Sequence, residues 1–148
     1  RGVAGGYTMY KTNEDKFFVS KQEMLEKLIA LLGGRAAEKI ALNDISTGAS
    51  NDIEVATKIA TDMVTVYGMS DTVGPISINL GKDPYQIELL GDKFEDSIGT
   101  EIKSLVDNAY YQAQRLVSEH MDKLELVANA LMEKEIISAE EFESFFQE

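Results

Sequence analysis

The chain of 148 residues contains no cysteine, two prolines and one histidine. The lack of cysteine excludes a disulfide framework, a thiolate zinc site and a cysteine nucleophile. No apolar run approaches the roughly 20 residues needed to cross a bilayer, so membrane contact is expected only through segments outside this sequence. With 44% hydrophobic and 27% charged residues, the composition is typical of a folded globular chain.

Basic residues are scarce in the C-terminal part of the chain. Residues 92–148 include five basic and 14 acidic side chains, which give −9 of the total net charge of −12. Such a surface repels phosphate backbones, so nucleic acid is not an expected partner. An acidic adaptor that binds basic partners is a weaker interpretation, because charged helix faces are usually only solvated.

The spacing of apolar residues predicts a mainly α-helical fold. Ser20 with Glu23 has the capping-box pattern at the start of a first helix, which Gly33-Gly34 is expected to interrupt. Asn51 has the pattern of a helix cap for a second helix, with Glu54 closing the box. Gly68 is a typical signal for the end of that helix, and a loop follows over residues 69–92.

Three further helices are predicted in the C-terminal third. A long amphipathic helix spans about residues 94–118, and a second one follows with its apolar side over residues 121–132. Ser138 with Glu141 repeats the capping-box pattern before a short helix. The phenylalanines of this short helix are expected to be buried against the two preceding helices.

A small β element is expected beside the helices. Aromatic and β-branched residues predict a short strand at Tyr7–Tyr10, and Ile76–Leu80 is a second candidate.

Four motifs occur in order between positions 31 and 70. They are Leu31-Leu32-Gly33-Gly34-Arg35-Ala36-Ala37-Glu38, Ser46-Thr47-Gly48-Ala49-Ser50-Asn51-Asp52, Ala56-Thr57 and Met63-Val64-x-x-Tyr67-Gly68-Met69-Ser70. In this order and at these spacings they resemble the peptidase domain of the FtsH family. The resemblance extends from Gly6-Tyr7-Thr8 to Leu131-x-x-Lys134-Glu135, and so covers essentially the whole chain.

The resemblance implies a helical metallopeptidase domain over residues 1–148 that lacks its N-terminal zinc-binding helix. Residues 1–80 would form the part near the site, and residues 92–148 a C-terminal helical lobe. Because Arg1 opens a glycine-rich stretch, the chain is expected to begin inside a larger domain and to form a soluble segment of it.

For the parent protein the resemblance implies an ATP-dependent, membrane-anchored zinc protease of protein quality control. An upstream AAA ATPase domain would bind ATP and magnesium, and a homo-hexamer would thread unfolded polypeptides inward. This domain would face the cytoplasm, and the substrates would be misfolded and membrane proteins.

Asp52 matches the family's third zinc ligand, which follows two histidines of an H-E-x-x-H helix. A carboxylate completes a His₂-carboxylate set of the kind that zinc hydrolases use. Asp52 shares a helix side with Ala56, Ile59 and Met63, so its carboxylate is expected to point inward. The alternative is that it only complements the helix dipole from the first turn.

Three further residues are candidates for the surroundings of the zinc site. Glu38 is expected to orient a ligand histidine, or else to pair with Arg35 three residues earlier. Thr47 and Asn51 are primarily expected to be backbone and cap residues, with a supporting role in the site as the second interpretation.

The single histidine, His120, is expected at the surface between two C-terminal helices. One histidine cannot form an H-E-x-x-H pair, so this chain lacks two zinc ligands and the general base, and it contains no predicted catalytic residue. We therefore expect no peptidase activity from this chain alone. The rival interpretation is a catalytically dead helical module that serves interaction or assembly.

The predicted first strand is also a candidate for substrate binding. Tyr7, Thr8 and Met9 would form an edge on which an extended substrate pairs through its backbone. This mode tolerates any sequence, and so it suits a processive protease.

Overall fold

The computed structural model describes residues 18–78 and 91–147. The elements in this part are helices α1 (Lys21–Leu42), α2 (Ser50–Thr65), α3 (Asp92–Glu119), α4 (Met121–Lys134) and α5 (Ala139–Ser144), with a short 3₁₀ turn (Thr47–Ala49) before α2. The predicted mainly α-helical fold is confirmed. None of the helices in these two ranges is long and apolar enough to span a membrane.

The predicted β element has no counterpart in the described ranges. Tyr7, Thr8 and Met9 lie outside them, as does the end of the second candidate strand. Residues 76–78 of that candidate are not a strand, and the Ile78 N–H donates instead to the Thr65 carbonyl oxygen at 2.6 Å.

Helix α1 begins with the predicted capping box. The Glu23 N–H donates to Ser20 Oγ at 3.2 Å, and the Glu23 carboxylate accepts the Ser20 N–H at 2.8 Å. The predicted interruption at Gly33-Gly34 is wrong, because α1 continues to Leu42. A Cβ at either glycine would meet nothing within 4 Å, so neither glycine marks a close contact or a turn.

The start of α2 differs from the prediction. The helix begins at Ser50, and Ala49 occupies the cap position without a side-chain hydrogen bond. The predicted cap at Asn51 is therefore wrong. The physical reason is the 3₁₀ turn, which leads directly into α2 and which Ser46 caps by accepting the Gly48 N–H.

The end of α2 is followed by a tight turn at Gly68. The helix ends at Thr65, and Gly68 has a φ of 59°, in the left-handed region. A Cβ at this position would lie 2.8 Å from the Cα of Pro75. Glycine is needed here because other residues rarely adopt this φ, and because Pro75 leaves no room for a Cβ where the chain folds back.

The hydrophobic core lies where α1, α2 and α3 meet. Its largest cluster of buried residues combines a few long side chains with many alanines: Leu28, Leu32, Ala36, Ala56, Ala60, Met63, Ala109 and Ala113. Alanines at these contacts allow helix backbones to approach closely, and the long side chains fill the remaining space. A second cluster, Val64, Val73, Ile78 and Ile98, joins the end of α2 to the first turns of α3.

Helices α4 and α5 contain no buried residue in the described structure. Met132 on α4 is 85% exposed, and Phe142 and Phe146 are 44% and 48% exposed. The predicted burial of these phenylalanines is wrong, because their rings pack on each other with centroids 5.1 Å apart and not into the core.

Candidate functional site

A carboxylate on α1 holds the segment that leads into α2. Ser46 donates to Glu38 twice: its hydroxyl lies 2.5 Å from Oε1, and its backbone N–H lies 3.2 Å from Oε2. The same hydroxyl oxygen accepts the Gly48 N–H at 3.1 Å. Glu38 thereby connects the last turns of α1 to the 3₁₀ turn and the start of α2.

The hydrogen bonds from Ser46 also favour the ionised form of this carboxylate. They lower the pKa of Glu38, with the hydroxyl contributing most and the backbone N–H next. The nearby Arg35 guanidinium adds a smaller lowering of the pKa, and Asp44 opposes it. Glu38 thus acts as a hydrogen-bond acceptor for Ser46, and these bonds favour its charged form.

Asp52 lies in the first turn of α2 at the edge of the buried helix face. Its side chain is half-buried, whereas its neighbours Asn51 and Glu54 are exposed. One turn further along the helix, Ala56 is completely buried. Asp52 therefore lies on the side of α2 that faces the core, and its binding of zinc stays a prediction.

Thr47 and Asn51 lie close to Asp52 in the sequence but are exposed. Thr47 is the first residue of the 3₁₀ turn, and Asn51 the second residue of α2. A supporting role of their side chains in a zinc site also stays a prediction.

The described residues do not form a complete metal site by themselves. Within ranges 18–78 and 91–147 there is no group of three or more histidine, cysteine, aspartate or glutamate residues that could hold a metal ion. His120 lies between α3 and α4, is exposed, and places its Nδ1 2.9 Å from the carbonyl oxygen of Leu116. A zinc site at Asp52 would therefore need ligands from outside the described residues, and its role as a ligand stays a prediction.

Sequence reasoning missed Ser46 as the partner of Glu38. The available signal was the short Ser-Thr-Gly stretch, because a serine hydroxyl at such a position commonly accepts a backbone N–H two residues later. The pattern predicts that local bond, but it gives no indication of a carboxylate that comes from the preceding helix.

Residues 1–145 match the model of peptidase family M41. The chain belongs to this family. Its resemblance to the FtsH family, predicted from the four motifs, is thereby confirmed.

Curated relatives agree with this assignment to family M41. Over 96% of its length the chain is 49% identical to "ATP-dependent zinc metalloprotease FtsH" of Caldicellulosiruptor bescii. It is 48% identical over 99% of its length to "ATP-dependent zinc metalloprotease FtsH 1" of a Thermoanaerobacter species, and 40% identical over 95% to the FtsH of Bacillus subtilis. The chain spans about a quarter of each relative: 24%, 25% and 23% respectively.

Proposed function

We propose that this M41 chain is part of the zinc metallopeptidase domain of an ATP-dependent protease, and that Asp52 supplies one zinc ligand. The family match over residues 1–145 and the names of the relatives support the peptidase activity. The half-buried position of Asp52 on the core-facing side of α2 supports its role as a ligand. The motif match identifies Asp52, and this position is the one structural observation that supports the assignment.

The residues of this chain would hold and orient one side of the site. A zinc ion, when bound, lowers the pKa of its water to about 7 and polarises the peptide carbonyl. The carboxylate of Asp52 would bind the ion, and the packing of α2 against α1 and α3 would keep this carboxylate in place. With His120 exposed beyond α3, the two imidazole ligands and the general base would come from residues outside this sequence.

The remaining features of the parent protein are proposed from its relationship to FtsH. They are a membrane anchor, an AAA ATPase domain that uses ATP and magnesium, assembly as a hexamer, a cytoplasmic location of this domain, and misfolded and membrane proteins as substrates. Unfolded substrates would pair with the segment around Tyr7, Thr8 and Met9. This chain alone would be inactive.

A helical assembly module is the second candidate function. The exposed apolar residues in and beside α4 and α5 support it, since Met132 on α4, Ile136 between the two helices and Phe146 after α5 lack a partner in the core. This function does not require zinc. Metal content therefore separates the two candidates.

The experiment compares Asp52→Asn with Asp122→Asn in the full-length gene product. Asp122 is a matched control because it is also an acidic residue in the first turn of its helix, α4. We expect wild type and Asp122→Asn to bind about one zinc ion per chain and to degrade casein with ATP. Asp52→Asn should lose zinc and proteolysis but keep ATP hydrolysis.

Zinc content is measured by plasma mass spectrometry after dialysis, and proteolysis by the release of labelled peptides. Retention of zinc and of casein degradation by Asp52→Asn would reduce Asp52 to a residue that complements the helix dipole.

A further inference from the structure

We propose that Glu38 and Ser46 are positioning residues that hold the first turn of α2, and with it the carboxylate of Asp52, in place for zinc. The inference rests on the proposed zinc role of Asp52. It assigns to Glu38 a partner within this chain, Ser46, instead of a contact with a ligand histidine.

The contact between Glu38 and Ser46 joins two elements. A serine that donates both its N–H and its O–H to one glutamate occurs twice in the described residues, since Ser20 donates in the same way to Glu23. The Ser20–Glu23 contact lies within one helix start and serves as its cap. The Glu38–Ser46 contact instead connects α1 to the segment beyond its end.

Hydrogen bonds continue this connection from Ser46 to the start of α2. Ser46 Oγ accepts the Gly48 N–H, and the Ser50 N–H at the start of α2 donates to the Thr47 carbonyl oxygen. Ala49 between them is buried, with 5% of its surface exposed. Asp52 follows three residues after Ala49, so few backbone torsions separate the ligand from the held segment.

The other end of the connection is equally firm. Glu38 follows two residues after Ala36, which is completely buried in the core of α1, α2 and α3. The carboxylate is thus carried by a helix that packs into the core close to this position. A zinc ligand must keep its distance to the ion within about 0.2 Å, so a loosened first turn of α2 would weaken binding.

The test measures zinc affinity in the full-length gene product, by competition with a chromogenic chelator. Removal of partners behind a metal ligand typically weakens affinity 10- to 100-fold. For Ser46→Ala and for Glu38→Gln we expect a loss of roughly 10-fold, because both act through Asp52. Ser46→Thr keeps the hydroxyl, and it should restore most of the affinity.

A second measurement separates positioning from general stability. Cobalt replaces zinc, and its visible absorption reports the geometry of the ligands. Ser46→Ala and Glu38→Gln should alter this spectrum. Ser20→Ala is the matched control: it removes the corresponding serine hydroxyl–carboxylate bond at the other end of α1, so it should lower the melting temperature but leave the cobalt spectrum and the zinc affinity unchanged.

The outcomes distinguish this inference from the proposed function. Unchanged zinc affinity and cobalt spectrum in both Ser46→Ala and Glu38→Gln, with zinc lost in Asp52→Asn, would overturn the positioning role alone. Zinc retained by Asp52→Asn would overturn both proposals. If Ser46→Ala does not fold, judged by circular dichroism, the nearly isosteric Glu38→Gln decides the question.

Discussion

Helices α1 to α3 and helix α4 are all amphipathic, but α4 and the short α5 have surroundings very different from those of the first three. The first three bury their apolar faces against one another, whereas no residue of the last two is buried. Apolar spacing thus predicts that a helix forms and which side is apolar. It does not predict whether that side finds a partner within the chain.

The small residues of the first group explain part of the difference. Ala36, Ala56, Ala60, Ala109 and Ala113 are buried where the three helices meet, and their short side chains permit close approach of the backbones. On α4, Ala128 is exposed beside the exposed Leu131. Three matched pairs of substitutions, one member in each region, test this comparison.

The largest difference is expected between Leu28→Ala and Leu131→Ala. Leu28 is completely buried, so its truncation leaves a cavity and should lower the free energy of unfolding by about 2–5 kcal/mol. Leu131 is 39% exposed, and its truncation should cost less than about 1 kcal/mol. Urea denaturation of the two variants measures both values. Equal losses would mean that α4 belongs to the same core as α1.

A smaller difference is expected between Ser20→Ala and Ser138→Ala. Each serine caps its helix by accepting the N–H of the residue three positions later, Glu23 or Glu141. Loss of such a cap costs typically about 1 kcal/mol. In α1 this cost should reduce the stability of the whole core, whereas in α5 it should only increase local opening.

Amide hydrogen exchange checks the capping prediction. Ser20→Ala should speed exchange throughout α1, α2 and α3, while Ser138→Ala should speed it in α5 alone. Faster exchange in α1, α2 and α3 of Ser138→Ala would contradict the division into two regions.

The smallest difference concerns pH and compares Glu38→Gln with Glu140→Gln. The pKa of both carboxyls is lowered: Ser46 bonds cause the shift for Glu38, while for Glu140 its own backbone N–H is the main cause and Ser138 adds to it. A carboxyl with a lowered pKa in the folded state stabilises the fold above its unfolded pKa, about 4.3, and loses this contribution as pH falls through the folded pKa.

We therefore expect Glu38→Gln to be less stable than wild type at pH 7, with the gap closing in acid. Glu140→Gln should have the same global stability as wild type at both pH 7 and pH 3, because α5 is not part of the core. Melting temperatures between pH 3 and pH 7 test this. A gap for Glu38→Gln that is independent of pH would mean that the ionised state is not what matters.

Local sequence patterns predicted the helices well and their boundaries less well. The capping box at Ser20 was found because all its bonds lie within four residues. The interruption at Gly33-Gly34 was wrong because glycine only costs about 1 kcal/mol in a helix, which tertiary packing of Leu32 and Ala36 outweighs. The start of α2 was misplaced because the preceding 3₁₀ turn has no distinct periodicity.

In the candidate site, too, features set by neighbouring residues could be predicted, whereas a contact between separate segments could not. Asp52 was identified from a motif, and its half-buried position follows from the helix periodicity. The bond between Glu38 and Ser46 was not predicted, because it depends on how the segment after α1 turns back. The course of this segment depends on its tertiary contacts, and no repeating pattern in the sequence indicates it.

The packing of α1 against α3 has a consequence for biosynthesis. Leu28 and Leu32 share their cluster with Ala109 and Ala113, which the ribosome adds much later. Contacts between residues so far apart in sequence form late and slow the folding of a nascent chain. Until α3 emerges, the apolar faces of α1 and α2 lack the surface that covers them in the folded chain, and such uncovered apolar surface favours aggregation.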